Sequence, residues 1–499
     1  MSGAAGQEAW LLRFQEGIGH FNAGRMADAE AAFGAAAAAK PDHPVVRLNH
    51  GVALRLLGRR EEAVTALRTA LGLRGDLHDA CLHLAETLGE LGRAQEALDA
   101  WRALMAVRPD HPGAALGMAG LLMRADLPEL AERVYRVAVA VDPGSATAAN
   151  NLGAAIMSQR RLEDAAAAYR RGVALDPSSP EYHKNLGIAR MMAGDLQGGG
   201  PEYEWRELQS VWKWRRSFPG VPRWDGGPLA GRTILVHFEQ GLGDSFQYVR
   251  YMAVLKAMGA RVVFECQKPL KRVLSGVAGI DALVAAGEPL PPFDCHTPLM
   301  SLPWLCGTTK DTVPGGVPYI RAEVALVESW GRRMDRAEFR IGINWQANEA
   351  NRSIPLALFE GIARIPGVRL YSLQKVVGTE QAAALRDRLG IIDWSADMDA
   401  GPDGFVDTAA VMANMDLIIS CDSAVNHLAG AMGLPALAVL RWFGDWRWMT
   451  IPDHTPWYPT MRLLRSERKN DWTGVMERAA AEVTMRAGLH RAARHRTAS

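Results

Sequence analysis

The sequence predicts an α plus α/β fold, in which an array of helical repeats precedes two lobes that each carry a parallel sheet. Two observations predict it. Similar residues recur every 34 positions through the first part of the chain, and beyond them apolar, strand-like runs alternate with helical stretches. The chain has 499 residues, enough for about two to four domains.

Three residue series define the repeat. The turn between two helices recurs at Gly24, Gly58, Gly92, Asp126, Arg160 and Gly194. Small residues at a helix crossing recur at Gly17, Gly51, Ala85, Ala119, Gly153 and Gly187. The second helix of each unit ends near Pro41, Pro109, Pro143 and Pro177, with Gly75 in the remaining place, because proline cannot continue a helix. A period of 34 residues is that of the tetratricopeptide repeat (TPR), a solenoid.

The predicted solenoid covers residues 1–197, as five units and a partial sixth that degrades at Gly198–Pro201. A capping helix and linker follow at residues 198–230. Stacked helical pairs form a concave surface that binds partners, so this part predicts a protein-binding groove.

One polar column is a candidate for that groove. It stands two residues before the small-residue series, at Asn49, His83, Asn151 and Asn185. An amide both donates and accepts hydrogen bonds, so such a ladder can hold a peptide backbone of any sequence. The alternative, that these side chains link neighbouring loops of the stack, stays open.

The second part reads as two α/β lobes, residues 231–335 and 336–485, followed by a basic tail at residues 486–499. Predicted strands occupy residues 232–238, 261–266, 282–285 and 293–296, then 339–345, 368–373, 415–421 and 435–440. Strands that alternate with helices favour parallel sheets, which bind ligands at the carboxyl ends of their strands.

The first motif that could take part in a reaction is Gly241-Leu242-Gly243-Asp244, directly after a predicted strand and at the start of a predicted helix. The glycines allow a tight turn and a close approach of ligand to backbone. Asp244 would project into the cleft, where a carboxylate can accept a proton from a hydroxyl nucleophile. The alternative is that Asp244 only caps the helix.

The second motif spans residues 422–433 and again joins a strand to a helix. Free N–H groups at such a helix start suit a diphosphate, and Ser423 can add a hydroxyl donor. His427 lies one turn further on the same face. The alternative is a buried helix with a structural histidine.

Together these motifs resemble glycosyltransferase family 9, the heptosyltransferase-like enzymes of GT-B fold, over about residues 232–472. The resemblance implies an inverting glycosyltransferase with Asp244 as its general base. It implies donor contacts from the residues of four segments: Gly241 and Gly243; Asn348 and Arg352; Gln374 and Lys375; Asp422, Ser423, Ala424 and His427. Arg352 would neutralise phosphate.

A repeat array before such lobes is more similar to bacterial TPR glycosyltransferases, including those that modify flagellin. This similarity implies a protein acceptor, flagellin-like, that is recruited by the TPR groove and modified on Ser or Thr with a sugar from a nucleotide-sugar donor. Two alternatives stay open. One is a heptosyltransferase-like enzyme with a glycan or lipid-sugar acceptor, and the other is a non-catalytic TPR scaffold with a degenerate transferase domain.

Composition excludes several other classes. The net charge of +1 gives no case for nucleic acid. No apolar run reaches the ~18 residues of a membrane span, and the first residues do not read as a signal peptide. The five cysteines show no C-x-x-C pair, which favours a reducing, cytoplasmic location without a zinc site.

We expect no permanently bound cofactor and no metal ion. Asp397-Met398-Asp399 has the D-x-D pattern of other transferases, but its context predicts a solvated turn. The tryptophans of residues 441–459 could stack on sugar or base, or only brace a loop. Asp445 and Arg447 in this loop could meet the sugar.

Overall fold

The computed structural model describes residues 2–498. The chain divides after Tyr182 into two compact units, which we call the repeat unit and, from His183 onward, the sheet unit.

The repeat unit consists of paired helices in which first and second helices alternate. Their bounds are α1 (Ser2–Asn22), α2 (Met26–Ala39), α3 (Pro44–Leu56), α4 (Arg60–Leu73), α5 (His78–Glu90), α6 (Ala94–Val107), α7 (Pro112–Arg124), α8 (Pro128–Val141), α9 (Ala146–Ser158) and α10 (Leu162–Leu175). The predicted period of helical pairs is confirmed.

The predicted turn positions share one backbone conformation. Each has a positive φ, from 62° at Asp126 to 92° at Gly194. Glycine adopts this left-handed region without steric cost, which explains its recurrence. Asp126 and Arg160 (φ 63°) adopt it despite their Cβ atoms.

The small-residue series lies where paired helices cross. An added Cβ would lie 2.6 Å from the Phe33 ring at Gly17 and 2.7 Å from the Tyr169 ring at Gly153. Such distances leave no room for a side chain. The repeat therefore selects small residues because of packing against the second helix.

The sixth helical pair starts at the unit boundary, with α11 (Pro180–Met192) and α12 (Leu196–Tyr203). Here the structure differs from the prediction, because α12 continues through Gly198–Pro201 instead of ending there. The glycines serve close packing, since an added Cβ at Gly199 would lie 2.6 Å from Cγ of Met191. The predicted capping helix extends only to Leu208, as a 3-10 turn.

The sheet unit contains two sheets in which every pairing is parallel. The first contains β1 (Thr233–His237), β2 (Arg261–Cys266), β3 (Ala282–Ala285) and β4 (Cys295–Pro298), in the order β3-β2-β1-β4. The second contains β5 (Phe339–Asn344), β6 (Val368–Ser372), β7 (Leu417–Cys421), β8 (Ala436–Leu440) and β9 (Met461–Arg465), in the order β6-β5-β7-β8-β9.

The eight predicted strands are confirmed, and the sequence interpretation missed β9. That strand reads MRLLR, so its short apolar core is flanked by charges. The single predicted helix at residues 245–258 is two helices, α13 (Leu242–Tyr248) and α14 (Tyr251–Ala257).

Further helices lie between the strands and, in the case of the 27-residue α21, after the last strand. Their bounds are α15 (Leu302–Leu305), α16 (Val324–Gly331), α17 (Glu360–Ala363), α18 (Thr379–Leu389), α19 (Val406–Met412), α20 (Ala424–Ala431) and α21 (Trp472–Ala498). Residues 486–498, predicted as a basic tail, continue α21. Ala487 is buried in the core of the second sheet, whereas residues 491–494 are exposed, as expected for a solvated end. None of the described helices is both long and apolar enough to cross a membrane.

Candidate functional site

One cleft of the sheet unit collects the loops that follow β1, β5, β6, β7 and β8, and its cavity volume is about 520 Å³. Clefts that bind small ligands commonly have ~300–1,000 Å³. The cleft is lined by all eleven residues that the sequence predicted for catalysis and donor binding: Gly241, Gly243, Asp244, Asn348, Arg352, Gln374, Lys375, Asp422, Ser423, Ala424 and His427.

The turn after β1 places Asp244 in the first turn of α13. Its Oδ2 accepts the Gly241 N–H at 2.8 Å, so the side chain caps the helix and lines the cleft at once. Gln240, the residue before Gly241, has a φ of 61°, and its side-chain amide donates to the Tyr203 hydroxyl at 3.1 Å.

Arg447 holds the other oxygen of this carboxylate. Its Nη2 lies 2.5 Å from Oδ1 of Asp244, and its Nη1 lies 2.7 Å from Oδ1 of Asp445. Burial raises the pKa of Asp244, against the opposing effects of the Arg447 charge and the Gly241 N–H. The cleft therefore contains a carboxylate that is paired with a buried cation.

The start of α20 is joined to the ends of two neighbouring strands. Ser423 caps α20 and donates to Oδ1 of Asn344 at 2.7 Å. Asn344 donates in turn to Oε1 of Gln374 at 2.7 Å. The same Gln374 oxygen accepts the Gln346 N–H at 3.0 Å, and its amide nitrogen donates to the Val377 carbonyl at 2.8 Å. Both ends of the Gln374 amide thus hold loops of the site in place.

Asp422 and Arg352 lie side by side in the cleft. Oδ1 of Asp422 accepts the Trp448 indole N–H at 2.8 Å. Its buried Oδ2 has no hydrogen-bond partner among the described residues and lies 3.8 Å from Nη1 of Arg352. Arg352 also pairs with Glu349 at 2.7 Å. Burial, reinforced by the nearby Asp445, raises the pKa of Asp422.

His427 is a buried neutral base in this arrangement. Its Nδ1 lies 3.0 Å from the Tyr458 hydroxyl, and its ring stacks on Trp448 with centroids 5.1 Å apart. Burial, together with the Arg447 charge, lowers the pKa of His427 to about 3. A neutral imidazole at this wall can hydrogen-bond a sugar or phosphate oxygen.

The other predicted donor residues have different surroundings. Nζ of Lys375 donates to the Ser395 carbonyl at 2.9 Å and to the Met398 carbonyl. The amine therefore connects the end of β6 to the loop before α19. Asn348 is exposed at the rim of the cleft.

Asp399 corrects one interpretation. The D-x-D segment was expected to be a solvated turn, and this holds for the exposed Asp397 but not for Asp399. Oδ1 of Asp399 accepts the Asp407 N–H at 2.7 Å, Oδ2 accepts the Thr408 hydroxyl at 2.5 Å, and the residue lines the cleft. Its carboxylate caps α19. Within residues 2–498 no cluster of three or more His, Cys, Asp or Glu side chains is placed to hold a metal ion.

Sequence reasoning named Arg447 only as a residue that could meet the sugar, whereas the structure joins it directly to Asp244. The available signal was the segment D-W-R-W, in which an arginine stands among tryptophans. Trp446, Trp448 and Trp457 of this region are buried, which favours the interpretation that they brace the loop. Asn344 and Phe405 are further cleft residues that the sequence did not predict, and Asp445, which it named together with Arg447, also lines the cleft.

The predicted groove residues of the repeat unit occupy equivalent places on α3, α5 and α9. Asn49 donates to the Val45 carbonyl at 2.8 Å, His83 lies 3.3 Å from Glu86, and Asn151 accepts from Asn150 at 3.2 Å. All three have partners within the repeat unit, and Asn151 also contacts Tyr135. Asn185 lies on α11, in the sheet unit.

Comparisons with known proteins agree with both parts of the chain. Residues 399–477 match the model of Glycosyltransferase family 9 (heptosyltransferase), a stretch that contains α20 but not Asp244. The Tetratricopeptide repeat model matches residues 14–77, 82–146, 116–180 and 150–204. The chain thus combines tetratricopeptide repeats with a C-terminal stretch that matches the model of glycosyltransferase family 9.

Protein FlbA of Caulobacter vibrioides is 25% identical over an alignment of 298 residues, and the match covers 53% of this chain and 48% of FlbA. The match therefore spans about half the length of that relative. Among solved structures, MamA (41-end) from Desulfovibrio magneticus RS-1 is 24% identical, covering 34% of this chain and 97% of its own, with a TM-score of 0.32. A tetratricopeptide repeat protein from Parabacteroides merdae is 17% identical, covering 40% of this chain and 78% of its own, with a TM-score of 0.36.

Proposed function

We propose that the sheet unit is an inverting glycosyltransferase of GT-B type. It transfers a sugar from a nucleotide-sugar donor to a hydroxyl of a protein that the repeat unit recruits. The observation that carries the proposal is that Asp244, from the first sheet, and the capped start of α20, from the second, line the same cleft. The family 9 match over residues 399–477 supports it independently.

The start of α20 is the proposed diphosphate site. A helix N-terminus presents unpaired N–H groups and the positive end of the helix dipole, which together favour an anion. Arg352 lies within the same cleft and can add a full positive charge. These groups can neutralise the leaving diphosphate without a metal ion.

Asp244 is the proposed general base. The acceptor hydroxyl gives its proton to this carboxylate while its oxygen bonds to the anomeric carbon. The bond from that carbon to the phosphate oxygen breaks, and the nucleoside diphosphate leaves with the electron pair. The raised pKa of Asp244 makes it a stronger base than an exposed aspartate, which general-base catalysis requires near neutral pH.

The repeat unit is the proposed acceptor-binding part. Stacked helical pairs bind extended polypeptides, and Asn49, His83 and Asn151 recur at one place in successive pairs. A flagellin-like protein is a suitable first acceptor. The transferred sugar would be attached to serine or threonine.

The test combines a donor screen with mass spectrometry. The full chain is incubated with a panel of nucleotide sugars and a flagellin-like acceptor, and the intact mass of the acceptor is measured. We expect a mass increment of one sugar or more with one donor, and its loss in Asp244→Asn, which keeps the shape of the side chain. Removing a general base commonly costs about 10²–10⁴-fold in rate.

Two outcomes would contradict the proposal. Transfer only to glycan or lipid-sugar acceptors would identify a heptosyltransferase-like enzyme. Failure of every nucleotide and nucleotide sugar to raise the thermal unfolding temperature would indicate a scaffold, since a ligand that binds the folded state stabilises it. Full transfer by Asp244→Asn would refute the role of that residue alone.

A further inference from the structure

Arg447 occupies an unusual place between two parts of the proposed reaction. It is 7% exposed, and its guanidinium lies against the ring of Trp446, 4.8 Å from the centroid. The buried Nε has no hydrogen-bond partner among the described residues. The side chain nevertheless lines the cleft, so a ligand can reach it.

Arg447 carries one positive charge but contacts two carboxylates. Asp244 lies on α13 and Asp445 on its own loop, and both contact the guanidinium. The phenols of Tyr203, on α12, and Tyr248, on α13, face it as well. On the other side, its charge acts on His427 and Asp422, which flank the start of α20.

From this geometry we propose that Arg447 is a shared cation, which pairs with Asp244 in the empty enzyme and transfers to the diphosphate of the bound donor. The inference rests on the proposed function and deepens it. Donor binding would then release the general base at the moment when the leaving group acquires its counter-charge. An enzyme of this kind keeps its base paired until a donor is present.

The exchange is electrostatically reasonable. A diphosphate carries more negative charge than one carboxylate, and a guanidinium binds phosphate oxygens in a bidentate manner. During transfer, the proton moves from the acceptor hydroxyl to the freed Asp244. The electron pair of the broken bond stays on the diphosphate, where Arg447 and Arg352 face it.

The first test measures binding and needs no acceptor. UDP, GDP, CDP and ADP are titrated into the full chain by calorimetry, and the tightest is used with Arg447→Met, Asp244→Asn and the double variant. We expect Arg447→Met to weaken binding about tenfold, the equivalent of one lost charge-assisted contact. We expect Asp244→Asn to tighten binding, and by a larger factor when Arg447 is present than in the Arg447→Met background.

Two control variants accompany these measurements. Arg447→Lys keeps the charge and should recover part of the affinity, which separates an electrostatic role from packing. Arg462→Met removes an exposed arginine that pairs with Glu482 outside the cleft and should bind as wild type does. Thermal unfolding of each variant establishes that it is folded.

The second test uses the pH dependence of transfer. The pH profile of kcat/KM for the donor reports the enzyme that is free of donor, and the pH profile of kcat reports the donor-bound enzyme. Since Arg447 lowers the pKa of Asp244 while the two are paired, the acidic limb of kcat should lie at higher pH than that of kcat/KM. In Arg447→Lys the separation should shrink, and in Arg447→Met the two limbs should converge.

The outcomes are distinguishable. If a folded Arg447→Met variant binds the nucleotide within twofold of the wild-type affinity, the proposed role of Arg447 is overturned and the proposed function stands. An equal effect of Asp244→Asn in both backgrounds also overturns it, because the two residues would then act independently. Failure of wild type to bind any of the four nucleotides overturns both proposals.

Discussion

The backbone of Gly243 lies against the imidazole of His427. A Cβ at residue 243 would be 2.7 Å from Cδ2 of that ring and 3.4 Å from Cα of Ala424. The turn that carries Asp244 therefore packs directly on the first turns of α20, and the two halves of the site meet at a residue without a side chain.

Gly243→Ala should consequently disturb both halves. We expect it to cost about 1–3 kcal/mol of unfolding free energy, as overpacking does, and to abolish stabilisation by nucleotides. Tryptophan fluorescence in a denaturant titration measures the first effect. Gly276→Ala is the control, because an added Cβ there would meet nothing within 4 Å. Equal stability of the two variants would contradict the packing argument.

The turns of the repeat unit allow a test of backbone strain without steric contact. Gly58 has a φ of 78°, and an added Cβ would have no neighbour within 4 Å. Gly58→Ala should cost about 1 kcal/mol, because a Cβ disfavours the left-handed region. Circular dichroism in a denaturant titration follows the loss.

Gly19→Ala is the matched control for Gly58→Ala. Gly19 lies inside α1, and its added Cβ would also be free of neighbours. There alanine should stabilise by about 0.5–1 kcal/mol, since glycine weakens a helix interior. The same substitution thus has opposite signs at the two positions, and a like sign would refute the explanation.

The stability of the sheet unit should fall on acidification through His427. Its pKa is about 3 in the folded chain and ~6.5 when unfolded, so only the unfolded chain takes up the proton between these values. The contribution of His427 to the free energy of unfolding is complete above pH ~6.5 and is lost as the pH falls toward 3. From pH 6.5 to 5 the loss is about 2 kcal/mol.

The variant His427→Gln should therefore lose less stability over that interval than wild type. Denaturant titrations at pH 7, 6 and 5 check this. His237, whose pKa burial likewise lowers to about 3, keeps its own contribution in both chains. Parallel curves for wild type and His427→Gln would exclude a buried neutral imidazole.

Gln374 provides a test of the support beneath the site. In Gln374→Glu the acceptor oxygen remains, but the group that donates to the carbonyls of Gln346 and Val377 becomes a second oxygen. Leaving those contacts unmade should cost about 1–3 kcal/mol and weaken nucleotide binding. A variant that unfolds within 0.5 kcal/mol of wild type, measured by tryptophan fluorescence, would mean that the loops hold without it.

Much of the fold was predictable because its signals are local. The positive φ at Gly24, Gly58 and Gly92 requires the residue that the 34-residue series supplies. Buried parallel strands such as LIISC read as apolar runs because the residues on both of their faces are buried. The strand β9 was missed because the arginines at positions 462 and 465 interrupt its apolar run. Its strand conformation depends on parallel pairing with β8.

Less of the site was predictable. Glycine and aspartate after a strand indicated the turn at Asp244, and the strand-to-helix motif indicated Ser423. No local pattern distinguished Asp399, which caps α19, from the exposed Asp397 two residues earlier. The carboxylate of Asp399 has its partners at residues 407 and 408, and that of Asp397 pairs with Arg333. How far each side chain is buried depends on these other segments.

The sequence by itself determined the helical period, the turns, eight of the nine described strands and the edge of each sheet where polar residues gather, since these follow from backbone sterics and the spacing of apolar side chains. Only the tertiary structure decided that Arg447 lies 2.5 Å from Asp244, because the two residues follow strands of different sheets. An ion pair of this kind depends on distance and burial in three dimensions. Neither quantity is a property of the segment that carries the charge.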